Sequence, residues 1–190
     1  MRLRAGDHRH FPSVEDRFGF AQARLVSFPD LYAGKIVAAL DRQHPRDLFE
    51  VRDLLAAEGV DMALRGAFIA YMLSHNRPFG EVLAPTRKDL AEEFRHGFEG
   101  MTQAPVTLDD LLAAREAIIQ TMVGQMPDPH RRFLLGFKQG APDWALLDLP
   151  QVAHLPAVLW KQQNLDRLPA AQRAQLLANL ERALGAASSV

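Results

Sequence analysis

The 190 residues carry 22 Lys and Arg against 23 Asp and Glu, a formal charge of −1, so no global basic field captures nucleic acid by charge alone, although a local patch is compatible with it. An apolar share of 48% suits a real core in one domain or one domain plus an appendage. The absence of cysteine excludes a disulfide scaffold, thiolate catalysis and Cys-based zinc sites. No apolar run approaches spanning length and no hydrophobic stretch follows the charged Met1–His8 segment, so the expectation is a soluble, cytoplasmic protein with no membrane association.

Residues 1–26 form a polar arm in which only Val14, Phe18 and Phe20 are candidate anchors, with at most a short β piece between Val14 and Val26. A mostly α-helical domain is expected over 27–185. Ser27-Phe28-Pro29-Asp30 reads as a helix start, with a capping serine, a first-turn proline and an acid facing the positive helix end. Leu31, Ile36, Val37 and Leu40 follow at helical spacing. Arg42-Gln43-His44-Pro45 interrupts the pattern. Pro45 opens a second helix with Leu48, Val51, Leu54 and Leu55 inward and Gly59 as its C-terminal cap. A third helix runs from Asp61 to Leu73, and Asn76–Gly80 is a turn-rich break. Thr86-Arg87-Lys88-Asp89 and Thr107-Leu108-Asp109-Asp110 both read as capped starts. Asp128-Pro129 opens a short helix with Phe133, Leu134 and Phe137. Prolines between Pro142 and Pro156 impose turns, and a final helix covers Pro169 to Ala183, with Leu176, Leu177, Leu180 and Leu184 inward. Ala186–Val190 should fray.

Polar chemistry is densest between Tyr32 and Asp53. A lysine, Lys35, sits among small residues (Ala33, Gly34, Ala38, Ala39) that leave room for a ligand. A bend rich in cations follows, and then an acid, Asp47, on the first turn of the next helix. An ammonium suits phosphate oxygens, Arg42 and Arg46 can add phosphate contacts, and a nearby acid can orient the lysine or act as a base. A structural reading stands beside this one. Asp47 complements a helix dipole in any protein, Arg46 and Glu50 suit a surface ion pair, and Lys35 can snorkel from a packed helix. His8 and His10 read as a solvated basic patch, and His44 as a cap of the second helix. Trp144 and Trp160 read as core anchors, Phe94 and Phe98 as core spacing, and Arg131-Arg132 as a candidate RNA or partner contact.

Asp30–Lys35, Ala39–Arg42 and Pro45–Phe49 resemble the late motifs of the AbiEii/AbiGii nucleotidyltransferase toxins: a lysine, an "AL..R" helix end and "RDL[FY]D". The similarity continues through His75–Pro78, His130–Gly136, Pro142–Trp144 and Trp160–Leu165, from about Phe18 to Leu165. The resemblance implies that Lys35 handles the nucleotide and Asp47 assists it. Arg42, Arg46 and Glu50 lie beside them, with Glu50 standing where the family has aspartate. It also implies NTP-dependent nucleotidyl transfer, to tRNA in some members, with Mg2+ and NTP as cofactors and a cognate antitoxin as partner. The family's Gly-Gly/Ser helix start and Asp-x-Asp strand, which hold magnesium and triphosphate, have no counterpart before Ser27, where Asp7, Glu15 and Asp16 are the early acids. Residues 1–26 are therefore expected to be the remnant of a core that the chain lacks. The expectation is a helical C-terminal part, inactive alone, with self-association through exposed core surface. The alternatives are a non-catalytic helical interaction module or degenerate homologue, and, against the near-neutral charge, a nucleic-acid-binding helical domain.

Overall fold

The computed structural model describes residues 26–186, with side chains through Gly185. Every regular element among them is helical and no strand occurs. The N-terminal arm, its proposed β piece and the residues after Ala186 lie outside the described residues.

Helix α1, Phe28–Arg42, starts where the capping logic places it: the Ser27 hydroxyl accepts from the Asp30 amide at 3.4 Å, and Pro29 occupies the first turn. The helix stops because Gln43 turns left-handed, φ 54°. Two residues later α2, Pro45–Ala57, begins, its first turn capped by His44 Nδ1, which accepts from the Arg46 amide at 3.2 Å. Helix α3, Met62–Ser74, is capped by Asp61, whose carboxylate accepts from the Leu64 amide at 2.7 Å. Nearly all of α3 beyond its first turn is buried, so it forms the spine of the fold. It packs on α1 through Ala33, Ile36 and Leu40, which are solvent-free.

The segment read as a break, Asn76–Gly80, instead ends in a short helix, α4, Phe79–Leu83, because Phe79, Val82 and Leu83 are drawn into the core. The Thr86 start is also corrected. Thr86–Asp89 stays non-helical, its backbone held by Gln43 and Arg115, and α5, Ala91–Gly97, begins later, with Asp89 rather than Thr86 accepting from the Ala91 amide. Helix α6, Leu108–Ile119, has the reciprocal Thr107–Asp110 capping box and runs into a π turn at Gln120–Gly124. Helix α7, Asp128–Gln139, ends at Gly140, φ 84°, where a Cβ would come within 2.8 Å of Arg173 Nη1.

Two 3-10 turns, Trp144–Leu146 and Pro150–His154, fill the proline-rich stretch. Helix α8, Pro156–Asp166, was not expected: it buries only Val158 and Leu165 and so carries no apolar stripe. Helix α9, Ala170–Ala186, packs on α4 and α7, with Leu180 and Leu184 buried and Leu176 and Leu177 partly so. Trp144 packs edge-on against Phe133, 5.1 Å between centroids, whereas Trp160 is 59% exposed and anchors no core. Phe94 and Phe98 are core residues, 5.7 Å apart.

Candidate functional site

The α1–α2 hairpin gathers the charged residues singled out in the sequence. Lys35 and Arg42 are seven apart, two turns along one face of α1, and Asp47 and Glu50 are three apart on the facing side of α2. They join in two cross-helix ion pairs. Lys35 Nζ meets Glu50 Oε1 at 2.6 Å. Arg42 grips Asp47 in a fork, with Nε to Oδ2 at 3.1 Å and Nη2 to Oδ1 at 2.8 Å. The partner of Lys35 is therefore Glu50, one turn from Asp47. The longer carboxylate, at the position where aspartate was expected, makes the contact. Lys35 also lies 6.0 Å from the centroid of the Tyr32 ring.

Arg46 stays apart from this group. Its Nη2 reaches Gly97 O, on the last residue of α5, and Met101 Sδ beyond it, each at 3.5 Å. Arg46 and Glu50 thus do not form the i,i+4 pair that their spacing allows. The small residues around Lys35 leave less room than expected. Ala33 and Ala39 are fully buried in the core, and Gly34 lies under Tyr71, whose ring a Cβ would meet at 3.2 Å. Burial and the neighbouring Asp30 carboxylate push the Tyr71 hydroxyl above its usual range.

A second polar cluster forms at the C-terminal end of α1. Asp41 accepts from Arg77 and lies 3.7 Å from His75 Nε2. Lys88 Nζ donates to the last carbonyls of α1, Arg42 O at 2.9 Å and Asp41 O at 3.5 Å. This is a favourable place for a cation, at the negative helix end. The buried Gln43 amide binds beside it. Nε2 donates to Thr86 O at 2.8 Å, and Oε1 accepts from the Lys88 amide and from Arg115 Nη1, each at 3.2 Å. Arg87 and Glu116 close the edge with a 2.7 Å ion pair, which holds the Glu116 carboxyl below its usual range. Sequence reasoning assigned no role to Arg77, Lys88 or Arg115. The available signal was Arg115 itself, a charge on the core stripe of α6 between Leu111 and Ile118.

Arg131, read as a candidate RNA or partner contact, bonds to the protein's own backbone. It donates to Met126 O, Val123 O, Gly124 O and Leu184 O at 2.6–3.0 Å, tying the π turn to α9. Arg132 is exposed. Magnesium, which the resemblance implies, takes oxygen ligands, commonly one or two carboxylates together with substrate phosphates and water. Among the described residues no group of three or more His, Cys, Asp or Glu fits a metal ion, and the two acids of the α1–α2 face are each turned to a cation.

The chain matches, over residues 2–163, the family model described as nucleotidyl transferase AbiEii toxin, Type IV TA system. It belongs to the AbiEii family. No curated protein and no solved structure matches the chain. The AbiEii match spans α1 to most of α8 and leaves α9 outside it. The family is that of a toxin in a two-component toxin–antitoxin system, which makes an antitoxin a plausible partner. No described helix is long and apolar enough to cross a membrane.

Proposed function

We propose that residues 27–185 are the helical portion of an AbiEii nucleotidyltransferase, and that the α1–α2 face handles the phosphates of a nucleoside triphosphate. Lys35 and Arg42 supply the positive charge. Glu50 and Asp47 hold these cations in place until phosphate oxygens displace them. In the full-length family, magnesium-bearing carboxylates on a separate core would supply the transfer chemistry, with tRNA or another RNA as acceptor. This chain alone binds nucleotide and transfers none.

One observation carries the reading: four charged residues of the family-like segments share one face of one helix hairpin, cation opposite acid. Half-exposed pairs of this kind contribute about 1 kcal/mol or less, so a triphosphate can replace the carboxylates at little cost. The test is calorimetric titration of the chain with ATP and GTP, run beside a transfer assay with magnesium, labelled nucleoside triphosphates and total tRNA. Lys35→Ala should weaken binding about tenfold, the loss expected for one charge-assisted phosphate contact. Binding that Lys35→Ala leaves unchanged removes the nucleotide-handling role. Label transfer by the chain alone removes the claim that it is inactive.

A second reading, a helical interaction module, is favoured by apolar exposure beside the same face. Phe28 and Leu31 are 41% and 44% exposed and Tyr71 36%. An antitoxin or a second copy of the chain is the occupant this reading proposes.

A further inference from the structure

Two lysines lie over the ring of Phe79, and only one of them has its ammonium satisfied. Lys161 Nζ, 4.7 Å from the ring centroid, donates to Met72 O at 3.2 Å and to His75 O at the end of α3. Lys138 Nζ lies 4.5 Å from the same centroid. The Lys138 residue is 4% exposed, yet among the described residues no carbonyl or carboxylate accepts from it. Lys138 Nζ is not among the sealed, unpartnered polar atoms of the interior, so it keeps contact with solvent through the cavity it lines, and the ring face replaces only part of the hydration the side chain has lost. Burial accordingly pulls the Lys138 ammonium below the usual lysine range.

Lys138 borders a cavity of about 380 Å³ between α4, α7 and α9, lined also by Phe79, Ala84, Leu176, Asn179 and Arg182. That volume suits a small ligand. Asn179 Oδ1 accepts from Gln175 at 2.9 Å and from Arg182 at 2.6 Å, which leaves its Nδ2 group to donate. Glu81 also lines the rim, 3.7 Å from Arg77 Nε. The cavity shares no residue with the α1–α2 face. Leu176, Asn179 and Arg182 lie beyond the residues matched by the family.

We propose that this cavity binds a small organic anion, with a phosphate or carboxylate head on Lys138, Arg182 and the Asn179 amide, and an apolar body against Ala84 and Leu176. An oxyanion there gives Lys138 the partner that Lys161 already has. The apolar walls favour an organic body over a bare ion.

The probes are phenyl phosphate, benzoate and inorganic phosphate, titrated calorimetrically into the full chain. In parallel, trace acetylation of each lysine is mapped by peptide mass. Phenyl phosphate or benzoate should bind saturably and slow acetylation of Lys138 while leaving Lys88 unchanged. The tighter of the two identifies the head group. Lys138→Met, which keeps the aliphatic packing on Phe79, should weaken binding about tenfold, and Arg182→Gln severalfold. The rim variant and the protection measured in the parent chain keep the test decisive if Lys138→Met fails to fold. No saturable binding, or binding without protection of Lys138, overturns the proposal. Inorganic phosphate binding as tightly as phenyl phosphate overturns the organic-anion assignment.

Discussion

Lys161 shows how burial turns a side chain into a pH-dependent contribution to stability. Its ammonium is pulled down to about 8, first by burial and then by Lys138, even though Met72 O and His75 O both accept from it. The folded value lies below the usual lysine value of 10.5. Below about pH 8 both folded and unfolded chains hold the proton, and the cost of burying the charge is fully present. Between about 8 and 10.5 the folded chain releases the proton and the unfolded chain keeps it, so this residue makes stability rise with pH. After allowance for its partial exposure to solvent, the rise is on the order of 1–2 kcal/mol. Urea unfolding at about pH 7 and about pH 9.5 measures it. Lys161→Met should flatten the difference, and a variant that gains as much stability as the parent over that window would show that other groups carry it.

At the scale of elements, Gln43 decides how α1, α2 and the Thr86–Asp89 segment meet. Its left-handed backbone turns the chain, and its one amide satisfies Thr86 O, the Lys88 amide and Arg115 together. Gln43→Ala keeps the backbone cost and removes all three contacts, so it should destabilise by about 2–3 kcal/mol in thermal or urea unfolding. A loss below about 0.5 kcal/mol would mean that water replaces the amide. The same elements show what the sequence discloses. Starts that depend on neighbouring residues were legible: Ser27 with Asp30, His44 with Pro45, and Thr107 with Asp110. Gly59, read as the C-terminal cap of the second helix, follows α2 at a φ of 70°. The Thr86 start failed because its backbone partners come from residues 43 and 115, which no local pattern reveals. Helix α8 was missed because two buried residues make no periodic stripe. The site was legible in part for the same reason. The short bend suggested that Lys35 and Asp47 share one cleft, and the spacing that Arg46 pairs with Glu50, but which acid meets which cation depends on side-chain length and helix packing. Arg46 was turned away by contacts with residues 97 and 101.

Across the whole molecule, exposed large apolar side chains occur on several elements, Met62, Met101, Leu159 and Trp160 among them, but Phe28, Leu31 and Tyr71 lie near one another, and this bears on association. Phe28 stacks on Tyr32, with 4.6 Å between centroids. Leu31 lies one turn before Gly34, over which Tyr71 packs. Tyr71 in turn borders a second apolar hollow of about 390 Å³ lined by Ala70, Leu155 and Pro156. These contacts make a short apolar strip on α1 and α3, next to the Lys35–Glu50 pair. Scattered exposed apolar residues are ordinary on soluble proteins, whereas a contiguous strip marks a contact surface. With no partner present, two copies can cover the strip against each other, so the weight-average mass from light scattering should rise with protein concentration. Leu31→Glu places a charge in the centre of the strip without touching the buried residues of α1, and should hold the chain monomeric while leaving its melting temperature within a few degrees of the parent. A mass that stays monomeric at all concentrations in the parent chain would assign the strip to a different partner. A concentration dependence that survives Leu31→Glu would place the self-contact elsewhere on the surface. If the strip does self-associate, added nucleotide should leave the association unchanged when the two surfaces are independent. It should weaken it when the bound triphosphate sits close enough to Leu31 to exclude the second copy.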